Sequence, residues 1–201
     1  MAQVSTPLVE VAFAFLQEPR ENLGGNLEWT IGVKLKEEES TPIFDAIEKE
    51  IKDKQKENKF PRNLEGLKLN YPYRPSMQKQ EDGSKLPVEG ELLWVFKRKV
   101  VRKSRGEEVR NAPPVIYDAT GAIVKNPPAI GGGSKVKIAY QPYAYDTVAK
   151  GVTFQLLGVQ IVELKEFSRA EMEAVEGGWV APKDDNAGSF ESLFAGSAEV
   201  A

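Results

Sequence analysis

Apolar and polar residues alternate strictly in residues 27–36 and predict a strand with one buried face. A period of two is what a half-buried strand requires. Residues 8–16, LVEVAFAFL, predict a second apolar strand, and Pro19 with Gly24-Gly25 predicts the loop between the two. The apolar side chains that share one face of the first segment are Leu27, Trp29, Ile31, Val33 and Leu35.

The spacing changes to a helical period after Thr41-Pro42. A threonine at the N-cap followed by proline at the first helical position is a typical helix start. Residues 52–59, KDKQKENK, are all polar and are predicted to face water, and Pro61 ends the element. The apolar stripe of this predicted helix consists of Ile43, Phe44, Ile47 and Ile51.

The middle of the chain predicts a long irregular loop followed by short strands. Residues 62–90 show no sustained period around the turn Asp82-Gly83, and a loop of this length in a compact domain is functional or flexible. The elements predicted after it are, in order, a strand at Leu92–Val101, a hairpin turn at Ser104-Arg105-Gly106, resumed pairing at Val109, a short strand at Val115–Tyr117, a turn at Asp118–Gly121, a glycine hinge at Gly131–Gly133 and a long hairpin with its turn at Lys150-Gly151.

The C-terminal part predicts a short helix and then a tail. Ser168 and Glu171 form a capping box, and Gly177-Gly178 ends that helix. After Pro182 the residues are small, polar and acidic, so too little apolar area is available to offset the cost of ordering them.

We therefore expect one domain at residues 1–180 and a flexible acidic tail at residues 181–201. The expected fold class is mainly β: a five-stranded Greek-key barrel of the oligonucleotide-binding (OB) type, with one inserted helix, a short C-terminal helix and a disordered acidic tail. A β-sandwich is the alternative, because the strand pattern alone does not separate the two architectures.

Composition limits the chemistry that this chain can perform. The sequence has no cysteine and no histidine, which excludes disulfides, cysteine-ligated metal sites and histidine-based triads. No motif for a phosphate-binding loop or a calcium loop is present, so we expect neither enzymatic activity nor a cofactor or metal. No apolar run approaches the roughly 20 residues that span a bilayer, and the N-terminus lacks the basic start of a secretory signal, so we expect a cytoplasmic protein.

Charge is segregated along the chain, although the total is only −3. Residues 91–110 carry seven basic and three acidic side chains, a net charge of +4, whereas residues 163–201 carry three basic and nine acidic ones, a net charge of −6. A basic body with an acidic end can bind polyanions and still be acidic overall. A solvated charged strand beside a solubilising tail remains the alternative.

Basic and aromatic residues occur together in the two predicted hairpins and in the long loop. Lysines and arginines contact phosphates and rings stack on bases, so this combination is typical of a surface for single-stranded nucleic acid. An ordinary hairpin with half-buried tyrosines is the alternative, and Trp94 fits the core as well as a stacking surface. The candidate contacts are Lys97, Arg98, Lys99, Arg102, Lys103, Lys135, Lys137, Tyr143, Tyr145, Tyr71, Tyr73, Arg74 and Trp94.

The order of these elements resembles a known family. The run PPVIYDATGAIVKNPPAIGGGSKVKIAYQPYAYDTVAKGVTFQLLGVQIVEL, together with the preceding helix, loop and basic strand, is similar to the single-stranded DNA-binding proteins of bacteriophages, in particular the replication protein of short-tailed phages. The resemblance covers about residues 40 to 167. It implies an OB fold, cooperative coating of single-stranded DNA, and an acidic C-terminal tail that contacts the phage polymerase and helicase.

The tail of this chain departs from that family. Many members end in a dense acidic run with a terminal aromatic residue, whereas this chain ends in SFESLFAGSAEVA. The acids are scattered and both aromatic residues are internal. The candidate partner-binding residues are Asp184, Asp185, Phe190, Glu191 and Phe194.

The sequence thus predicts a sequence-independent single-stranded DNA-binding protein of phage DNA replication, recombination and repair, located in the host cytoplasm. Its roles are strand protection, annealing and replisome recruitment. The expected partners are single-stranded DNA and, through the tail, the phage DNA polymerase and helicase/primase; a homodimer is left open and no membrane is involved. A β-rich phage structural or assembly protein and an RNA-binding OB protein remain the alternatives.

Overall fold

The computed structural model describes residues 4–22, 24–104 and 106–166, with the backbone alone at 103 and 104. The elements in these ranges are β1 (Val4–Ser5), β2 (Val9–Glu21), β3 (Leu27–Lys36), a 3-10 turn (Glu38–Ser40), α1 (Thr41–Lys56), β4 (Tyr73–Lys79), β5 (Lys85–Lys99), β6 (Val101–Ser104), β7 (Glu107–Arg110), β8 (Val115–Tyr117), β9 (Lys135–Asp146) and β10 (Lys150–Glu163).

Five strands pair in a ring. β2 pairs with β3 and β3 with β5 in antiparallel fashion. β5 then pairs with β10 in parallel, and β10 with β9 and β9 with β2 are antiparallel. The short strands β1 and β8 and the strand β4 extend this sheet at β9, β10 and β5, and β6 with β7 forms a separate hairpin. The chain is mainly β with one α-helix in the described ranges, and a ring of paired strands replaces the two facing sheets of a β-sandwich.

Aromatic side chains fill the ring. Trp94, Phe96, Tyr140 and Phe154 have no exposed surface. The Phe154 ring centroid lies 4.6 Å from that of Tyr140, 5.1 Å from that of Phe96 and 6.0 Å from that of Trp94. Rings in such tilted and stacked contacts contribute packing energy beyond the area that they bury. Burial raises the pKa of the Tyr140 phenol to about 12, so this side chain is neutral.

Helix α1 covers one end of the ring, and its predicted apolar stripe is confirmed. Ile43, Ile47 and Ile51 are buried, and the ring of Phe44 lies 5.2 Å from that of Trp94. The predicted N-cap at Thr41 is wrong by one residue: Ser40 holds that position, because the preceding 3-10 turn already has helical backbone angles.

Ser40 also bonds to the core. Its hydroxyl oxygen accepts a hydrogen bond of 3.1 Å from the buried Trp94 indole nitrogen. The predicted solvent face of the last helical turns is only partly correct, since Lys54 is buried and pairs with Glu57 at 3.3 Å.

Three predictions for the loops are wrong. Pro19 lies inside β2 instead of in a loop. The long irregular loop contains a β-hairpin formed by β4 and the start of β5. Most of its residues are exposed on both faces, so no alternation reveals the strands. The predicted turn at Gly83 is present, with a φ of +84°. Gly151 lies inside β10 instead of in a turn, because a Cβ atom there would lie only 2.2 Å from the backbone oxygen of Asn70. This glycine permits a close approach of two chain segments.

The strand predicted at residues 27–36 is confirmed, and so are the hairpin around residues 104–106 and the short strand Val115–Tyr117. The predicted C-terminal helix and acidic tail lie outside the described residues. No helix in the described ranges combines the length and the apolar character needed to cross a membrane.

Candidate nucleic-acid interface

Side chains from all five strands of the ring form one row on its outer surface, here called the outer row. The registers place these residues side by side on neighbouring strands, and most of their neighbours along each strand are buried. Four interstrand steps of about 4.8 Å give the row a length of roughly 19 Å around the barrel. The members, in order, are Gln141 on β9, Gln155 on β10, Lys97 on β5, Thr30 on β3 and Phe15 on β2.

A β-bulge turns the aromatic end of this row outward. Val11 lies opposite Val33 and faces the core, but the next paired residue of β2 is Phe13, opposite Gly32. One extra residue in a strand shifts the alternation, so the side chains after it point to the opposite face from the one that the pattern before it predicts. Phe13 and Phe15 consequently lie outside the barrel, with ring centroids 5.7 Å apart.

Gly32 and Arg20 hold this aromatic pair in place. The Phe13 ring lies so close to Gly32 that a Cβ atom there would be 2.3 Å from the Cε1 atom of the ring. The Arg20 guanidinium carbon lies 3.7 Å above the centre of the Phe15 ring, a cation–π contact. A cation and two half-buried rings therefore lie next to Thr30 and the lysines of β5. Sequence reasoning missed these residues, because Val9, Val11, Phe13 and Phe15 alternate as if all four faced the core.

Several predicted cations are free of acidic partners. Among the residues that the structure describes, Arg74, Lys97, Lys99, Arg102 and Lys137 form no ion pair. Three other lysines of the sheet form ion pairs: Lys135 pairs with Glu163 at 3.0 Å, Lys34 with Glu91 at 3.7 Å and Lys150 with Asp146. Lys97 lies in the outer row and Lys99 is two residues further on the same face of β5. Lys97, Lys99 and Arg102 thus place unpaired positive charge on β5 and on the hairpin that follows it.

Arg98 differs from the neighbouring lysines of β5, because its side chain bonds to backbone atoms of the protein. Its side chain donates hydrogen bonds to the backbone oxygens of Ala112 at 2.7 Å and of Leu156 at 3.3 Å. Burial, with a smaller contribution from the Arg102 charge, lowers the pKa of the guanidinium. Arg98 therefore joins β5 to β10 and to the segment before β8.

Two of the predicted aromatic contacts belong mainly to the core. Trp94 has no exposed surface, so the structure excludes it as a stacking surface. Tyr73 is half-buried between Phe44 and Trp94, with ring centroids at 5.4 Å and 4.7 Å, and burial raises the pKa of its phenol. Tyr71, 5.5 Å from Tyr73, is 43% exposed, so it is the ring of this pair that a ligand can reach.

The two tyrosines of β9 lie on the outer surface near Lys97. Tyr143 is 46% exposed and lies opposite Thr153, and Tyr145 is half-buried opposite Gly151. Tyr143 lies two strands away from Lys97 and two residues further along the strand direction. This offset corresponds to a distance of roughly 12 Å between their backbones. Strand β9 continues through both tyrosines to Asp146.

Other predicted site residues lie away from the outer row or outside the residues that the structure describes. Lys135 is neutralised by its ion pair, and Lys137 is exposed opposite Gln160, away from the outer row. Lys103 belongs to β6, but its side chain is outside the described part. The candidate tail residues Asp184, Asp185, Phe190, Glu191 and Phe194 lie outside the described residues as well. Within those residues no cluster of acidic side chains could hold a metal ion.

The family model for the single-stranded DNA-binding protein of bacteriophage T7 matches residues 34–164. The chain belongs to this family. The single-stranded DNA-binding protein of Escherichia phage T7 is 32% identical over 129 residues, which are 60% of this chain and 53% of the relative. The chain therefore spans about half the length of this curated relative.

Two solved structures have a similar fold. The crystal structure of gp2.5, a single-stranded DNA-binding protein encoded by bacteriophage T7, matches with a TM-score of 0.59 and 21% identity over 87% of this chain and 99% of that one. A single-stranded DNA-binding protein from bacteriophage Enc34 in complex with single-stranded DNA matches with a TM-score of 0.50 and 16% identity, over 82% of this chain and 88% of that one. The first match confirms the OB-type fold.

Replacing Arg98 with Ala is expected to lower the free energy of unfolding by about 1–3 kcal/mol, because two backbone oxygens lose a charged donor. Urea denaturation measures the change. The matched control Lys99→Ala, on the same strand but without these bonds, is expected to stay within about 0.5 kcal/mol of the wild type. Equal stability of the two variants would show that the Arg98 contacts contribute nothing to the fold.

Proposed function

We propose that this protein binds single-stranded DNA of any sequence in phage DNA replication, recombination and repair. It would coat and protect exposed strands, promote their annealing and bring replisome proteins to them. The observation that carries the proposal is that unpaired cations and exposed aromatic rings share one outer surface of an OB-type barrel. Membership of the T7 single-stranded DNA-binding protein family supports it independently.

The position of this surface agrees with the way in which OB folds bind their ligands. We take the ring β2–β3–β5–β9–β10 to be the five-stranded Greek-key barrel of that fold, whose second and third strands carry the oligonucleotide-binding face. These strands are β3 and β5 here, with Thr30 and Lys97 at the centre of the outer row. The complex of the Enc34 protein with single-stranded DNA is a precedent for the ligand on a similar fold.

Binding would need no bond-breaking chemistry. Lys97, Lys99 and Arg102 would contact phosphates, and the electrostatic attraction is the same for every sequence. Phe15 and Tyr143, at opposite sides of Lys97, would stack on bases of any identity. Arg74, on the neighbouring strand β4, would extend the cationic surface. We therefore propose a binding protein without enzymatic activity.

Changing Lys97 to Ala is expected to weaken binding to an oligo-dT strand and to reduce the slope of log affinity against log salt by about 0.7, the value for one phosphate contact with a single strand. Fluorescence anisotropy at several salt concentrations measures both quantities. Lys52→Ala is the control, because Lys52 lies on α1 and pairs with Glu48 at 2.8 Å; its slope should equal that of the wild type.

An unchanged slope for Lys97→Ala would remove this residue from the interface. The same assay with RNA and duplex DNA separates the alternative functions. Tighter binding to RNA would favour an RNA-binding OB protein, and no binding to any strand at low salt would favour a structural or assembly protein.

Changing Tyr143 to Ala is expected to cost about 1–3 kcal/mol of DNA-binding free energy, the contribution of one stacked base. Because the ring is about half exposed, the melting temperature should hardly change. Ile123→Ala, which truncates a side chain that is 66% exposed, is the control for loss of surface apolar area. If the variant loses stability while its folded fraction binds normally, Tyr143 serves the fold and not the DNA.

The partners of the protein belong to the same proposal. We propose that residues 1–180 form the DNA-binding domain and that the protein acts in the host cytoplasm, as a monomer or as a homodimer. Residues 181–201 would contact the phage DNA polymerase and helicase/primase. Phe190 and Phe194 offer apolar anchors among the acidic residues of this segment.

Truncation after Pro182 removes one lysine and four acidic residues, a change of +3 in net charge. If this segment competes with DNA for the cations of β5, truncation should tighten binding at low salt, and the gain should fade at high salt because of screening. Fluorescence anisotropy measures the DNA affinity of the truncated and the untruncated protein. Polymerase binding, followed by surface plasmon resonance, should weaken; retained binding by the truncated protein would place the partner contact elsewhere.

A further inference from the structure

Two glutamine side chains lie side by side at the β9–β10 end of the outer row. Gln141 and Gln155 lie directly opposite each other on β9 and β10, and Gln155 lies beside Lys97. Both are half-buried. Within the described part of the chain, neither amide takes part in a hydrogen bond, whereas the amides of Gln55 and Gln160 donate to backbone oxygens.

An unpaired amide pair at this position is suited to hydrogen bonding with a base. Phe15 and Tyr143 lie on either side of Lys97, so a strand whose phosphate contacts this lysine passes its bases over the outer row. A glutamine amide offers one donor and one acceptor side by side. Adenine presents the complementary donor and acceptor, its 6-amino group and N7, to such an amide.

We infer that Gln141 and Gln155 hydrogen-bond a base held at the β9–β10 end of the outer row and favour adenine there. This inference rests on the proposed binding of single-stranded DNA. The bulk of the affinity still comes from phosphate contacts and stacking, which are the same for every sequence. The amides add a modest preference for one base to that general affinity.

The test compares oligo-dA and oligo-dT binding by the wild type and by the double variant Gln141→Leu/Gln155→Leu, which keeps the side-chain size and removes the amides. The expected loss for oligo-dA is about 3- to 10-fold, as for one or two net hydrogen bonds, with less than about 2-fold loss for oligo-dT. The loss of affinity for oligo-dA is divided by the loss for oligo-dT. The self-stacking of each strand cancels, because both proteins bind the same two strands. Gln78→Leu, on β4 with Leu86 as its partner, is the control and should change neither affinity.

A modified strand gives an independent readout. Replacing adenine by purine, which lacks the 6-amino group, should weaken binding by the wild type but not by the double variant. The single variants are measured alongside, in case the double variant is less stable. Equal losses on oligo-dA and oligo-dT, or an equal effect of the purine strand on both proteins, would overturn the inference. Absence of wild-type binding to any single strand would instead overturn the proposed function.

Discussion

Closure of the ring by β10 determines which side chains of the barrel face inward and which face outward. This strand pairs with β9 along its whole length, with β5 at two residues and with β8 at three. The parallel contact with β5 is short, and Phe154 reinforces it from inside, where its ring meets those of Trp94, Phe96 and Tyr140. Because side chains alternate along a strand, fixing these rings inside also fixes which residues face outward.

The same constraint links the core to the proposed DNA-binding surface. Phe154 and Phe96 point inward, so their neighbours Gln155 and Lys97 must point outward and lie side by side. Arg98 closes the end of the parallel contact through the backbone oxygen of Leu156. On β9, the backbone N–H of Ala144, between Tyr143 and Tyr145, donates a hydrogen bond of 3.3 Å to the Glu50 carboxylate of α1. Buried side chains of the core and hydrogen bonds to the backbone therefore hold the strands that carry the proposed DNA-binding surface.

Sequence reasoning succeeded where one period describes the whole element. The alternation of β3 and the stripe of α1 are each set by one buried face, so residue type reports orientation directly. It failed at β2, where the bulge after Val11 exchanges the faces and turns Phe13 and Phe15 outward. It also failed at Arg98, whose acceptors Ala112 and Leu156 are distant in sequence and are backbone atoms that residue types do not reveal. The family resemblance depended on the order of elements, which such local shifts do not change.

A net charge of −3 does not oppose binding to a polyanion, because pairing determines which charges act on a ligand. The helix carries acids and lysines that neutralise each other, such as Glu48 with Lys52, and Glu163 neutralises Lys135 on β9. Lys97 and Lys99 have no such partner among the described residues. Within a Debye length of about 10 Å at 0.1 M salt, a phosphate at the outer row is attracted by these two lysines and by Arg20, and it is repelled by Glu28, which lies opposite Lys99. Local pairing, more than total charge, therefore sets the attraction.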